Sequence, residues 1–291
     1  MRRLKACGRV YLCVMFAFLY LPIAVLIAFS FNESKSRAVF TNFTFKWYGE
    51  LFHNDMILKS LAVSLVIAFA SAAIATVVGT LAAVGVNGMS RRARSAVMVL
   101  SYVPVINPEI ITGISLMLLF VVGNEKISAV LSALLDAETS FNGFGMFTLL
   151  AAHITFCLPY VLFNVSPKLR KMDVRVYEAA LDLGCNPRQA FFKVVLPELT
   201  PAILSAFLIC LTYSIDDFII SYFTSGTVQT LPIAIYSMTR KKVSPEINAL
   251  SAILFAVILT IILVSNALDS AKERRLDRAA RAEERKAGMT A

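Results

Sequence analysis

The stretch Asp173-Val-Arg-Val-Tyr-Glu-Ala-Ala-Leu-Asp-Leu-Gly-Cys-Asn-Pro-Arg-Gln-Ala-Phe-Phe-Lys-Val-Val-Leu-Pro-Glu-Leu-Thr-Pro-Ala-Ile203 holds two helix starts and one helix stop. Asp173 stands where an N-cap is needed, and Gly184 where a helix ends in a left-handed residue. Asn186 can cap a second helix. Pro187 then takes its first position, where the missing N–H costs nothing, and Gln189 the reciprocal capping position. Pro197 and Pro201 are expected to close that second helix before the next segment begins. The segment therefore reads as helix–turn–helix. Glu178, Ala179 and Ala180 lie on the first helix, and Phe191 and Phe192 on the second. Small alanines admit the close approach of another surface, and aromatic rings can fill a groove in it.

On both sides of this segment the chain is apolar. Of its residues 58% are hydrophobic and only 16% charged, with mean hydropathy +0.72. A soluble domain of this length could not cover its surface with so few polar groups. A membrane helix needs about 20 mostly apolar residues, and six stretches supply them: Val10–Phe31, Leu61–Val86, Ser95–Val122, Met146–Ser166, Ala202–Phe223 and Ile247–Leu268. Helix is the expected form of each, because unpaired backbone groups are too costly in lipid. The expected fold class is all-α integral membrane with six transmembrane helices. Residues 1–268 would form one transmembrane domain, with 173–197 protruding from it, and 269–291 a charged C-terminal tail. Residues 127–135 suggest a short interfacial helix, and Leu231–Met238 a segment that dips into the bilayer or lies on it.

Basic residues set the orientation. With both termini cytoplasmic, twenty of the 28 Lys and Arg fall inside, which the positive-inside rule favours. The formal net charge of +9 then reflects topology and gives no reason to expect a nucleic-acid partner. Cys7, Cys13, Cys157, Cys185 and Cys210 make no C-x-x-C pair and read as small hydrophobes. The chain has no phosphate-binding Gly-x-x-x-x-Gly-Lys-Ser/Thr loop, so ATP hydrolysis is not expected in it. No metal, cofactor or catalytic residue is assigned.

The spacing Glu178-Ala179-Ala180, three residues, Gly184, nine residues, Val194-x-Leu196-Pro197 resembles the EAA motif of binding-protein-dependent ABC importer permeases; Val194 stands in place of Ile. The resemblance implies a type I importer fold, with 173–197 as the coupling helix inserted into a cytosolic ATPase. Glu178, Ala179, Ala180, Gly184, Leu196 and Pro197 would make that contact. Further stretches resemble the spermidine/putrescine permeases, among them Lys46-Trp47-Tyr48, Ala152-His153-Ile154-Thr155-Phe156-Cys157-Leu158-Pro159 and Ser214-Ile215-Asp216-Asp217. That resemblance implies a bacterial inner-membrane protein importing polyamines by alternating access. Its expected partners are an ABC ATPase dimer, a second homologous permease subunit, an extracytoplasmic polyamine-binding protein and the lipid bilayer.

The acidic residues agree with such a cargo. A polyamine carries separated ammonium groups on an apolar stem, so its path needs carboxylates and aromatic faces. Acids inside a membrane are costly and face polar cavities. Glu109, Asp216 and Asp217 are three of them, and no Lys or Arg interrupts their spans. Asn107-Pro108-Glu109 also reads as the opening of a half-helix, with Pro104 and Pro108 bending the span. Asp216 and Asp217 would sit about 100° apart on a helix, so one is expected to meet the cavity and the other a neighbouring chain. Trp47 is either an interfacial anchor or the residue that receives the cation. His153 reads as packed and hydrogen-bonded. Tyr213 and Tyr222 either line a path or pack. The same importer for another small solute, an ion-coupled carrier and an intramembrane aspartyl protease are the alternatives. The protease lacks its Tyr-Asp and Gly-x-Gly-Asp settings, and the carrier has no use for the protruding segment.

Overall fold

The computed structural model describes residues 2–34, 39–135, 143–241, 245–257, 259–260 and 263. The charged tail at 269–291 and most of the sixth expected span beyond Val257 lie outside them. Among the described residues the regular structure is helical, with one isolated bridge between Asn32 and Phe43. The chain divides into two compact units. One is Met1–Asp55 together with the described residues from Met238 on, and the other is Met56–Ser237.

In the first unit, α1 (Arg2–Ser30) is followed by the short helix α2 (Lys46–His53). Asn32 organises the turn between them: its side chain donates to Val39 O at 2.8 Å and accepts from Thr41 N at 2.9 Å. Glu246 opens a later apolar helix, Glu246–Val257, and accepts from Asn54 Nδ2 at 3.0 Å, consistent with a helix start.

The second unit contains α3 (Asp55–Gly88), α4 (Arg91–Ile106), α5 (Glu109–Leu135), α6 (Met146–Lys171), α7 (Val174–Asp182), α8 (Pro187–Ala190), α9 (Leu196–Asp216), α10 (Ile219–Thr224) and most of α11 (Leu231–Lys241). Its core is the packing of α3, α6 and α9 through small side chains: Ala72, Ala75, Ala83, Cys157, Ala206 and Cys210, with Val161, Val165 and Leu199. Lipid gives apolar side chains no reason to leave it, so membrane helices associate by close van der Waals fit, which small residues permit. A Cβ on Gly79 would fall 2.7 Å from Val161 Cβ, so α3 and α6 touch there only because the glycine has none. Cys157 and Cys210 are free thiols, each reaching the other's carbonyl across α6 and α9 at 3.6–3.8 Å.

Among the described residues, five helices are long and apolar enough to cross a membrane: Gly8–Ser30, Asp55–Gly88, Glu109–Ser128, Met146–Lys171 and Pro187–Asp216. Four expected elements differ. The third expected span is two helices, broken at Asn107-Pro108, where Asn107 turns to extended backbone (ψ 138°). Pro108 lacks the N–H that a continuous helix would need. The fifth expected span breaks after Asp216, because Asp217 is extended (ψ 120°) and α10 starts anew. Residues 127–135 continue α5 and form no separate helix; their side chains from 129 on lie outside the described residues. Leu231–Met238 extends to Lys241 as α11, whose first N–H donates to Ser64 Oγ on α3 at 2.8 Å.

Candidate functional site

The protruding segment keeps the local grammar of its sequence. Asp173 Oδ1 accepts from Arg175 N at 3.0 Å, capping α7. Gly184 has φ +90°. Around it Gly184 N donates to Leu181 O at 2.9 Å and Cys185 N to Ala180 O at 3.0 Å, the paired bonds of a Schellman stop. Asn186 and Gln189 exchange side-chain and backbone bonds at 2.9 and 3.0 Å, a complete capping box with Pro187 at the first helical position.

One expectation fails here. Pro197 and Pro201 do not close the second helix. A π-helical turn over Phe191–Val195 joins α8 to α9, so Pro187–Asp216 runs as one apolar helix. The wider turn directs Leu196 N–H to Phe191 O and carries the chain past Pro197, which has no N–H of its own to place. The segment presents Val174, Val176, Leu183 and Phe192 to the exterior, Leu183 at 87% exposure. Ala180 and Ala190 are buried within it.

The two helix breaks meet at one cavity of about 370 Å³. Glu109 enters from the first turn of α5, and Asp216 and Asp217 from the end of α9. Phe156 and Tyr160 of α6, Tyr213 of α9, and Phe218 supply aromatic walls. The Tyr160 and Tyr213 rings lie 4.7 Å apart. Among its lining residues there is no Lys or Arg. Sequence reasoning missed Tyr160, Phe156 and Phe218. Tyr160 was within reach of it: it stands seven residues, two helical turns, after His153.

The paired acids are not used alike. Asp216 is exposed. The side chain of Asp217 is only 6% exposed and its donors lie within this chain. It accepts from Ser221 N at 2.7 Å, Ser221 Oγ at 2.8 Å and Ile220 N at 3.3 Å, so it caps the start of α10. His153, 1% exposed, lies 3.6 Å from the same oxygen. Its Nε2 is 2.9 Å from Ser221 Oγ and its Nδ1 is 2.6 Å from Ser214 Oγ, which contacts Ser71 Oγ at 3.1 Å. The α10 helix so held packs on α5, with Ile219, Ile220 and Phe223 against Gly113. Tyr222 packs on Phe218, with ring centroids 5.6 Å apart.

Trp47 belongs to the other unit. It is 2% exposed, and its indole N–H donates to Asn32 O at 2.6 Å. The Lys46 ammonium lies 5.5 Å from the ring centroid. Trp47 is therefore packed within its own unit, with its indole N–H occupied.

Long apolar helices with two breaks that meet at an acid-bearing cavity are the architecture of an integral-membrane protein with a solute site in its spans. Residues 75–278 match the family model of the binding-protein-dependent transport system inner membrane component, and the chain belongs to that family. It is 39% identical over 251 residues to the putrescine transport system permease protein PotI of Escherichia coli K12, covering 86% of this chain and 85% of that one. It is 34% identical over 256 residues to the spermidine/putrescine transport system permease protein PotC of Haemophilus influenzae, covering 88% and 93%. In fold it is similar to a chain of a bacterial ABC transporter involved in the import of the acidic polysaccharide alginate. The TM-score is 0.69 and the identity 18%, over 92% of this chain and 98% of that chain.

Proposed function

We propose that this chain is the permease subunit of an ATP-driven importer that carries polyamines such as putrescine and spermidine into the cytoplasm. The observation that carries the reading is the cavity: Glu109, Asp216 and four aromatic rings line it, with the side chain of Asp217 largely buried at its wall and without a lining Lys or Arg. Carboxylates answer the ammonium groups. Each ring face adds about 0.5–2 kcal/mol of cation–π attraction, more where water is excluded. Glu109 and Asp216 are the cargo-facing acids, and Trp47 is left out of the path. An anionic solute would be repelled.

The segment 173–197 is assigned as the coupling element. Glu178, Ala179, Ala180 and Gly184, followed by Leu196 and Pro197, would be gripped by a cytosolic ATPase dimer, with both chain termini on the same side of a bacterial inner membrane. The exposed apolar residues on α7 and beside it suit a groove in that partner. A second, homologous permease subunit and an extracytoplasmic polyamine-binding protein complete the machine. ATP binding closes the ATPase pair, the coupling element moves with it, and the spans rock around the cavity. No covalent chemistry falls to this chain.

Reconstitution tests this. The chain, its ATPase, the partner permease and the binding protein are placed in proteoliposomes, and uptake of labelled putrescine and spermidine is followed with and without ATP. ATP-dependent uptake is expected. Uptake that persists without the ATPase would overturn the importer reading. Combining Glu109→Gln with Asp216→Asn should leave assembly normal and cut uptake at least about tenfold, the equivalent of 1.4 kcal/mol; uptake at the unmodified rate would remove the carboxylate path.

A further inference from the structure

Asp217 is adjacent to a cavity suited to cations, yet its carboxylate is turned into the protein and 6% exposed. Three donors of α10 hold it there, Ile220 N, Ser221 N and Ser221 Oγ, and the last of them is the end of a hydrogen-bonded row crossing four helices: Ser71 of α3, Ser214 of α9, His153 of α6 and Ser221 of α10. With a neutral imidazole protonated on Nε2, every link from Ser214 to Asp217 has a donor and an acceptor. Ser214 donates to Nδ1, Nε2–H to Ser221, and Ser221 to Asp217, while Ser71, whose hydroxyl donates to Ala68 O at 3.2 Å, lies 3.1 Å from Ser214 Oγ. Two backbone N–H groups of α10 meet the same carboxylate. The row thus ends on Asp217 and binds it to the break between α9 and α10, while Asp216, one residue earlier, stays exposed.

We propose that His153 sets cargo selectivity by withholding Asp217 from the cavity, so that the path presents Glu109 and Asp216 to the cargo and keeps the third carboxylate occupied. This rests on the polyamine reading above and adds to it a positioning residue that touches no cargo. Removing the imidazole frees the Ser221 hydroxyl to turn away from Asp217, which leaves the carboxylate held by two backbone N–H groups alone. Asp217 can then rotate into the cavity as an extra negative site. An additional carboxylate favours the polyamine with three ammonium groups over the one with two.

The test uses the fully assembled importer in proteoliposomes and measures the ratio of spermidine to putrescine uptake with the two in direct competition at limiting concentrations. His153→Ala is expected to raise that ratio at least about threefold. His153→Gln, whose amide N–H can replace Nε2–H toward Ser221, is expected to bring it back toward the parent value. Should His153→Ala fail to assemble, Ser221→Ala removes the hydroxyl that joins His153 to Asp217 and should shift the ratio in the same direction. A merely destabilised protein lowers both uptakes in proportion, so an unchanged ratio in these variants overturns the proposal. A ratio shifted in His153→Ala but not restored by His153→Gln overturns it too. If the unmodified assembly carries no polyamine, it is the underlying reading that fails.

Discussion

Asp216 and Asp217 are chain neighbours with opposite surroundings. One meets open space; the other takes two backbone N–H groups and a serine hydroxyl. A buried carboxylate must be compensated by such donors, and here they belong to the helix that follows it. A second residue-scale consequence concerns Gly79. Any side chain there collides with Val161, whereas a Cβ on Gly85, six residues on in α3, meets nothing within 4 Å. Gly79→Val should cost about 1–3 kcal/mol by overpacking, and Gly85→Ala next to nothing. Thermal unfolding of the two variants in detergent measures the contrast; equal midpoints would contradict the packing described for α3 and α6. The acids themselves were legible in the sequence, because an acidic residue in an apolar run demands an explanation. Their division of labour was not. His153 is joined to Ser214 and Ser221 across 61 and 68 residues, and no local pattern announces such a partner.

At the scale of elements, the turn between α7 and α8 was legible almost atom by atom. Asp173, Gly184, Asn186, Pro187 and Gln189 each act on backbone groups within a few residues of themselves, so local sequence determines them. The helix breaks divide on the same principle. Pro108 marked the first in advance. The second carries no proline or glycine: Asp217 makes it by capping α10, which becomes visible only once the fold is known. Pro197 misled in the other direction, because a π turn three-dimensionally absorbs what a linear reading counts as a stop. Two outcomes follow. Gly184→Val forces a β-branched residue to φ +90°, a strain of about 1–2 kcal/mol, and should lower ATP-dependent uptake several-fold without changing cargo preference. Asn186→Ala removes the cap of α8 and should cost about 1 kcal/mol, read as a lower unfolding midpoint. A Gly184→Val importer working at the parent rate would show that the Schellman stop is dispensable for coupling.

For the whole molecule, the two proposed functions fall at opposite ends of one helix packed against α3 and α6. The continuous stretch Pro187–Asp216 begins in the proposed motor contact and ends at the cavity acid Asp216. A push at its start is therefore felt at its end without passing through a flexible loop. This continuity gives the coupling proposal its mechanical content, and it exists only because the π turn keeps the helix unbroken past Pro197. The most direct measurement places a photo-activated cross-linking residue at Leu183, the most exposed apolar position of the segment, in the importer assembled in native membranes. The account predicts an adduct with the cytosolic ATPase, lost when the ATPase is omitted. An adduct with the external binding protein, or none at all while uptake proceeds, would contradict it.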